Sequence, residues 1–329
     1  MGGFDASRTS AKSPVAFDIA LASGFVLACF GNMAMELIDF SRRFMPERLT
    51  PLFHTPIYEQ LSHEQRLRYN QLHSSYFNEQ TIFFESAMAQ YILSCFISRA
   101  VPDGLSDGLR TFIAEEAEHS KMFRELNRLC LPEIYSKEDF HFIKVSFIPS
   151  ACLRQWVKRT HWFPFFLWVL LIQEERALFC AKEFLKEADS LEPHFVATQR
   201  RHLADEVGHI QWDEELLDRI WPRTGRTWRS INARLFGWMM GEYFTTPKRS
   251  GLHVVSDLVK GTPALRPLWP EMKSQMLQLA ANQEFNLLCY SRTVTPKAFV
   301  RFDHWPEFRP LSEVLPGYSP LSDIPEPPR

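Results

Sequence analysis

No two of the six cysteines in this 329-residue chain stand close enough to form a CxxC pair, so no cysteine set for an iron–sulfur cluster is present. Cys29, Cys95, Cys130, Cys152, Cys180 and Cys289 lie far apart, mostly among apolar neighbours. They read as buried thiols of a reducing compartment. A dominant charge is lacking too: 37 Lys and Arg against 39 Asp and Glu leave a net charge of −2. No overall field draws the chain to nucleic acid or to an anionic membrane. The most apolar stretch, Ile19 to Gly31, is too short for a bilayer span and begins too late, behind Asp5, to resemble a signal peptide. A cytoplasmic protein without a membrane segment is therefore expected. There is no glycine-rich dinucleotide fingerprint, so any redox chemistry must draw its electrons from outside the chain. Internal repeats and strand-like alternation are equally scarce, which argues against a solenoid or a β fold. What remains, 45% hydrophobic and 23% charged residues, is the composition of a globular protein.

The dominant rhythm is helical, in four long stretches at roughly 61–100, 105–130, 154–188 and 194–221. Val101-Pro102-Asp103-Gly104 separates the first pair, Leu131-Pro132 opens a mixed segment, and Leu191-Glu192-Pro193 separates the second pair. Two hairpins joined by one longer crossover give an all-α, ferritin-like four-helix bundle. The sequence reads as one domain over 1–329, with the bundle core at about 61–221. An arm over 1–60 precedes the core, punctuated by Pro46 and Pro56, and further helices over 222–329 follow it. Seven of the 22 prolines fall after Asp303, which precludes regular helix there. Trp305, Phe308, Leu311 and Tyr318 suggest a tail packed along the surface.

Two Glu-x-x-His motifs, Glu116 with His119 and Glu206 with His209, fall on predicted helices. Residues three apart share a helix face, so a carboxylate and an imidazole can grip one metal. About one such match is expected by chance, and a third, Glu138 with His141, lies in a polar segment without helical periodicity and is set aside. The first motif shares its face with Leu109, Phe112, Ile113, Phe123 and Leu126, where an unpaired charge would be costly to bury. In the second, His202, Glu206, His209 and Asp213 form one stripe; a solvated face would explain Asp213 well but the two histidines poorly.

A dinuclear carboxylate site needs one more carboxylate from each remaining helix. Glu85 continues the stripe of Ile82, Met88, Ala89 and Ile92, whereas Glu79 aligns with Ser86 and Gln90. Glu174 falls within Leu167, Leu171, Leu178, Ala181 and Leu185, with Glu175, in line with Lys182 and Lys186, as its alternative. The Glu85-to-Glu116 and Glu174-to-Glu206 spacings differ by a single residue. Hairpins of equal reach would bring all four carboxylates to one depth. Such a donor set suits two iron ions, or manganese, better than zinc. Glu115 and Asp205, each preceding a motif glutamate, are candidates to hold metal-bound imidazoles, with exposed surface charge as the competing reading.

The order Glu85, Glu116-x-x-His119, Glu174, His202-x-x-x-Glu206-x-x-His209 resembles the para-aminobenzoate N-oxygenase family of non-haem diiron proteins, over about residues 45–221. His202 is the histidine that sets the pattern apart from other ferritin-like proteins. The resemblance implies that Glu116 and Glu206 bridge two irons, with Glu85 and His119 on one ion and Glu174, His202 and His209 on the other. It also implies O2 as co-substrate, an external electron donor such as a separate reductase or ferredoxin, and an amine substrate oxidised through hydroxylamine toward nitroso or nitro products. Glu115 stands where that family more often has Asp, and the C-terminal third offers no motif to anchor. A homodimer is compatible with this reading. The alternatives are a diiron hydroxylase or oxidase acting on carbon, a ferritin-like metal-binding protein without oxygenase activity, and a metal-free helical interaction module. Long flanks speak against a storage shell, and six or seven aligned donors speak against the last. Arg124 and Arg176 could meet an acidic substrate, though surface solvation is the simpler fate of each.

Overall fold

The computed structural model describes residues 37–98, 104–144, 155–159, 162–245 and 248–321. Cys29, Cys152, the Ile19 to Gly31 stretch and Val101-Pro102-Asp103 lie outside the described residues. Before the bundle, three 3-10 turns at Glu47–Leu49, Pro51–His54 and Pro56–Gln60 follow the prolines, which begin the latter two. This arm is anchored rather than loose. Phe44, Met45, Leu52 and Ile57 are buried, and the Asn70 side chain accepts from Phe44 N (2.8 Å) and donates to Met45 O (2.8 Å).

Helix α1 (His63–Ile82) starts at a reciprocal cap: Ser62 Oγ accepts from Gln65 N–H, and the Gln65 side chain accepts from Ser62 N–H. It runs into a π-helical turn, Phe83–Ala89, and continues as α2 (Gln90–Ile97). The second arm, α3 (Ser106–Cys130), follows Gly104, whose φ of 95° suits a residue without Cβ. Two buried amides rivet the arms, Asn78 Nδ2 donating to Asn127 Oδ1 (2.8 Å) and Asn127 Nδ2 to Ser75 O (3.2 Å). The short α4 (Pro132–Tyr135) leads away from this hairpin.

The second hairpin is α5 (Phe165–Lys186) and α6 (Pro193–Ile220). Helix α6 begins where Glu192 accepts from His194 N and Phe195 N, with Pro193 at the first helical position. Helix α1 packs on α3, α5 on α6, and α3 on α6, so the chain is an all-α, ferritin-like bundle of two hairpins. Gly108 sets the closest approach of α3 and α6, because a Cβ there would run into the Trp212 ring. Among the described residues, Arg43 and Leu191 form an isolated bridge, and no helix is long and apolar enough to cross a membrane.

The structure departs from the sequence reading in three places. Helix α5 starts at Phe165 rather than near 154, because Pro164 has no N–H to donate and disfavours helical geometry at the residue before it. The proline-rich tail, which packs on the surface through Phe308, Leu311 and Tyr318 as expected, is more regular than the prolines suggest: Pro306–Glu313 is a 3-10 helix whose Phe308 is fully buried, stacked on Trp221 (5.2 Å) and edge-on to Trp168 (4.6 Å). Glu79, aligned with polar neighbours in the sequence, is fully buried. It accepts from Tyr135 Oη (2.7 Å) and from the backbone N–H groups of His141 (2.7 Å), Phe142 (3.0 Å) and Ile143 (2.8 Å). A carboxylate thereby satisfies a loop's donors inside the protein.

Additional helices cover the bundle: α7 (Arg226–Met239) and α11 (Pro296–His304) against α5, and α8 (Ser250–Gly261) against α1. Between them come α9 (Trp269–Gln278) and α10 (Gln283–Cys289). A second π-turn, Met240–Phe244, ends α7.

Candidate metal centre

The π-turn is where α1 delivers its carboxylate. Widening the helix there disturbs the regular backbone ladder, and Ser86 Oγ donates to Ile82 O (2.5 Å) at that point. Glu85, Met88 and Ala89 face inward, as the stripe predicts. Opposite stand Glu116 and His119 from α3, Glu174 from α5, and His202, Glu206 and His209 from α6. All seven side chains are buried, each no more than 3% exposed.

Glu116, His119, Glu206 and His209 offer donor atoms within 4.8 Å of one another, as do Glu85, His119 and His202. Glu206 is the hub. Its Oε1 lies 2.7 Å from His202 Nε2, 3.6 Å from His209 Nδ1 and 3.9 Å from His119 Nδ1. Glu116 Oε1 lies 3.0 Å from His209 Nδ1 and 3.7 Å from His119 Nδ1. His202 Nε2 also lies 3.0 Å from Glu85 Oε1, so its ring faces the α1 carboxylate as well as Glu206.

The far nitrogens of two imidazoles are held across the bundle. His119 Nε2 lies 3.0 Å from Asp205 Oδ2, and His209 Nε2 lies 3.1 Å from Glu115 Oε2. Each carboxylate takes that N–H and turns Nδ1 inward, where its lone pair becomes available once a metal displaces the proton. Glu115 is only partly exposed, so the residue standing where the resemblance leads one to expect Asp still reaches its imidazole. On the other side of His119, Ser120 Oγ donates to Glu85 Oε2 (3.2 Å), and Phe112 stacks on His209 with ring centroids 4.0 Å apart.

The electrostatics are those of groups competing for counter-charge. Burial, reinforced by the Glu116 charge, pushes the Glu85 carboxyl up to about 7. Glu174 goes well above the carboxylate range through burial and then through the nearby Glu206 and Glu116. Burial also opposes ionisation of Glu206, but the His202 charge and the nearby donor groups of Glu174, His202 and His209 outweigh it and hold Glu206 well below that range. For His119 and His209 burial disfavours the cation, yet their carboxylate partners raise them to about 9 and about 12. Even so, Glu85 Oε1, Glu174 Oε1, His119 Nδ1, His209 Nδ1 and both oxygens of Glu116 and Glu206 lack a hydrogen bond of acceptable geometry. Buried polar atoms in such number are costly unless a cation satisfies them, and a pair of divalent ions fits this donor set. Metal binding there would displace protons from the imidazoles and from the raised carboxyls.

Glu174 and Glu175 are both buried but serve different ends. Glu174 points to Glu206. Glu175 accepts from Lys297 N (2.8 Å) and Ala298 N (2.9 Å), satisfying two free N–H groups in the first turn of α11. Its alignment with Lys182 and Lys186 hid this partner, which lies 122 residues away in sequence. Glu175→Ala is expected to destabilise the fold by about 1–3 kcal/mol, since both donors lose their acceptor, while metal content per folded protein stays unchanged. Urea unfolding and elemental analysis of one preparation check both halves.

Asp213, the fourth potential ligand on the α6 stripe, is fully buried, against the alternative of a solvated face; burial raises its carboxyl well above the usual range, and among the described residues neither oxygen has a hydrogen bond. Arg176 is not solvated at the surface either. Its Nε is buried without a partner, its guanidinium lies 5.7 Å from the Tyr290 ring, and among the described residues no carboxylate pairs with it. Arg176 lines a cavity with Glu85, Glu174, His202, Phe77, Phe84 and Phe244. At about 50 Å³ the cavity holds little beyond a water-sized group, so a larger ligand enters only if side chains such as Phe84 or Phe244 swing aside. Arg124, by contrast, is paired with Asp139 (2.9 Å).

A family model described as P-aminobenzoate N-oxygenase AurF matches residues 34–252 of the chain. That span includes all four bundle helices and each of the seven converging side chains. No curated protein matches the chain.

Proposed function

The chain belongs to the P-aminobenzoate N-oxygenase AurF family, and we propose that it is a non-haem diiron oxygenase that oxidises an amine at nitrogen. The observation that supports this reading is the convergence of four buried carboxylates and three buried imidazoles, of which all but His202 have a buried atom without a hydrogen-bond partner among the described residues. In this reading Glu85, Glu116, His119, Glu174, His202, Glu206 and His209 would hold two iron ions, and Glu116 and Glu206 would serve both. Bound iron would supply the redox chemistry that reduces O2, so that amine, O2, two electrons and two protons give hydroxylamine and water. The electrons come from a separate donor protein, because the sequence carries no nucleotide fingerprint or cysteine-ligated cluster.

The chain's own residues fix the conditions for that chemistry. Asp205 and Glu115 hold the outer nitrogens of His119 and His209 and so keep both rings oriented with Nδ1 toward the centre, where a bound ion would displace its proton. Ser120 restrains one oxygen of Glu85, leaving the other toward His202. Phe77, Phe84 and Phe244 wall the cavity beside Glu85 and Glu174 and exclude water from it. Arg176, in the same wall and without an acid partner, is placed to receive an anionic group on the substrate. Arg176→Gln is accordingly expected to raise KM about 10- to 100-fold for amines bearing a carboxylate and to change it little for neutral ones. Equal effects on both classes would remove Arg176 from substrate recognition.

Aerobic turnover of the iron-loaded, reduced protein with aryl and alkyl amines, read by mass spectrometry, tests the proposal. Oxygen gained at nitrogen is the expected result. Oxygen gained only at carbon would assign the chain to hydroxylation, and metal uptake with no product from any amine would leave only metal binding.

A further inference from the structure

We propose that His141, His253 and Asp257 form a second, mononuclear site for a divalent transition ion of borderline hardness such as zinc, separate from the dinuclear centre. His253 and Asp257 are one turn apart on α8 and share a face. His141 reaches them from the segment after α4. One donor atom from each lies within 4.8 Å of the other two. His141 Nε2 is 2.5 Å from Asp257 Oδ2, and His253 Nε2 is 3.6 Å from Asp257 Oδ1. Donors around a tetrahedral zinc, at bond lengths of about 2.0–2.1 Å, stand roughly 3.3 Å apart. Small rotations of the three side chains give that spacing.

Two further observations point to a ligand rather than to a chance ion pair. His141 is presented by a segment that cannot drift, since its backbone N–H and those of the next two residues donate to the buried Glu79 carboxylate on α1. Its other nitrogen, Nδ1, lies 3.7 Å from Glu138 Oε1, too far for a hydrogen bond but within a side-chain rotation of the contact by which a carboxylate orients a metal-bound imidazole. The motif Glu138-x-x-His141 thus works through orientation rather than by joint ligation from one helix.

The competing cation is Lys260, whose Nζ lies 2.7 Å from Asp257 Oδ1 but whose side chain is 67% exposed. It can move into water when an ion arrives. Arg68 lines the neighbouring cavity with His141 and Asp257, and Lys144 lies 3.8 Å from Glu138. The carboxylates of Asp257 and Glu138 leave room for a dication despite these lysines. Partial exposure of the three ligands lets water complete the coordination shell. An ion there would clip the segment held by Glu79 onto α8, and so tie a covering helix to the helix that carries Glu85.

Full-length, chelator-stripped protein is titrated with zinc alone and then with cobalt(II), whose visible spectrum reports coordination. The Glu116→Ala variant is expected to keep one tight equivalent when its dinuclear centre is lost. His253→Ala is expected to lose that equivalent, together with the rise in Tm that zinc gives the wild type, and to retain both iron equivalents. Glu138→Gln should weaken the site about 10-fold. Should His253→Ala fail to fold, Asp257→Asn, which preserves side-chain shape, carries the same comparison. Equal zinc stoichiometry and affinity in the wild type and the ligand variant would overturn the site and leave the dinuclear reading untouched.

Discussion

Replacing Glu116 or Glu206 by alanine is expected to remove both metal ions together and to lower N-oxygenation by at least about 100-fold, since even losing a partner outside the ligand set costs up to that much. The expectation rests on position. Glu206 Oε1 stands within 3.9 Å of all three imidazoles, and Glu116 Oε1 within 3.7 Å of two of them. If Glu116 and Glu206 are shared between the two ions, as the family resemblance implies, the loss of either would not be confined to one ion. The metal-free fold should nevertheless survive. Both carboxylates are fully buried with unpartnered oxygens, and removing such groups relieves desolvation and mutual repulsion. Elemental analysis beside urea unfolding therefore separates the account from simple misfolding. A stable variant that still holds two metals would refute the shared role.

His202→Ala is expected to fold, to hold two metals more weakly, and to lose productive N-oxygenation while still consuming O2. His202 lies one turn before Glu206, with Nε2 facing both Glu85 and Glu206. Its ring meets His119 edge-on at 4.7 Å and Phe123 at 5.2 Å, so packing holds it in that direction. A neutral nitrogen in place of a carboxylate or water changes the charge and redox behaviour of the ion that receives it. Six donors remain after the substitution, enough to retain the pair. If His202 were only a core residue, its loss would cost stability with turnover per metal-loaded protein unchanged. Wild-type metal affinity and wild-type product yield together would eliminate it as a ligand.

The helices and the converging set were legible because they rest on local periodicity. Glu85, Glu116, Glu174 and Glu206 lie on apolar stripes, and a stripe interrupted by a charge marks where that charge must point. The partners of Glu79 and Glu175 were not legible. Glu79 and Glu175 align with polar neighbours and are buried because distant segments, the backbone of 141–143 and the start of α11, supply donors that no helical pattern encodes. For Asp213 the sequence leaves a potential ligand and a solvated stripe end side by side, because the covering of α6, which buries it, is a tertiary fact. The start of α5 was missed for a different reason, since apolar spacing continues through Phe163-Pro164 while proline chemistry interrupts the helix. The π-turn at Glu85 leaves the apolar spacing intact and so has no signature in the pattern.

The most direct measurement is a single turnover of the diiron-loaded, chemically reduced protein with isotopically labelled O2 and an aryl amine bearing a carboxylate, the product being read by mass spectrometry. The account predicts a hydroxylamine or more oxidised product carrying the label on nitrogen, absent from Glu116→Ala and Glu206→Ala. Label appearing only on carbon or only in water, with the amine recovered unchanged, would contradict it.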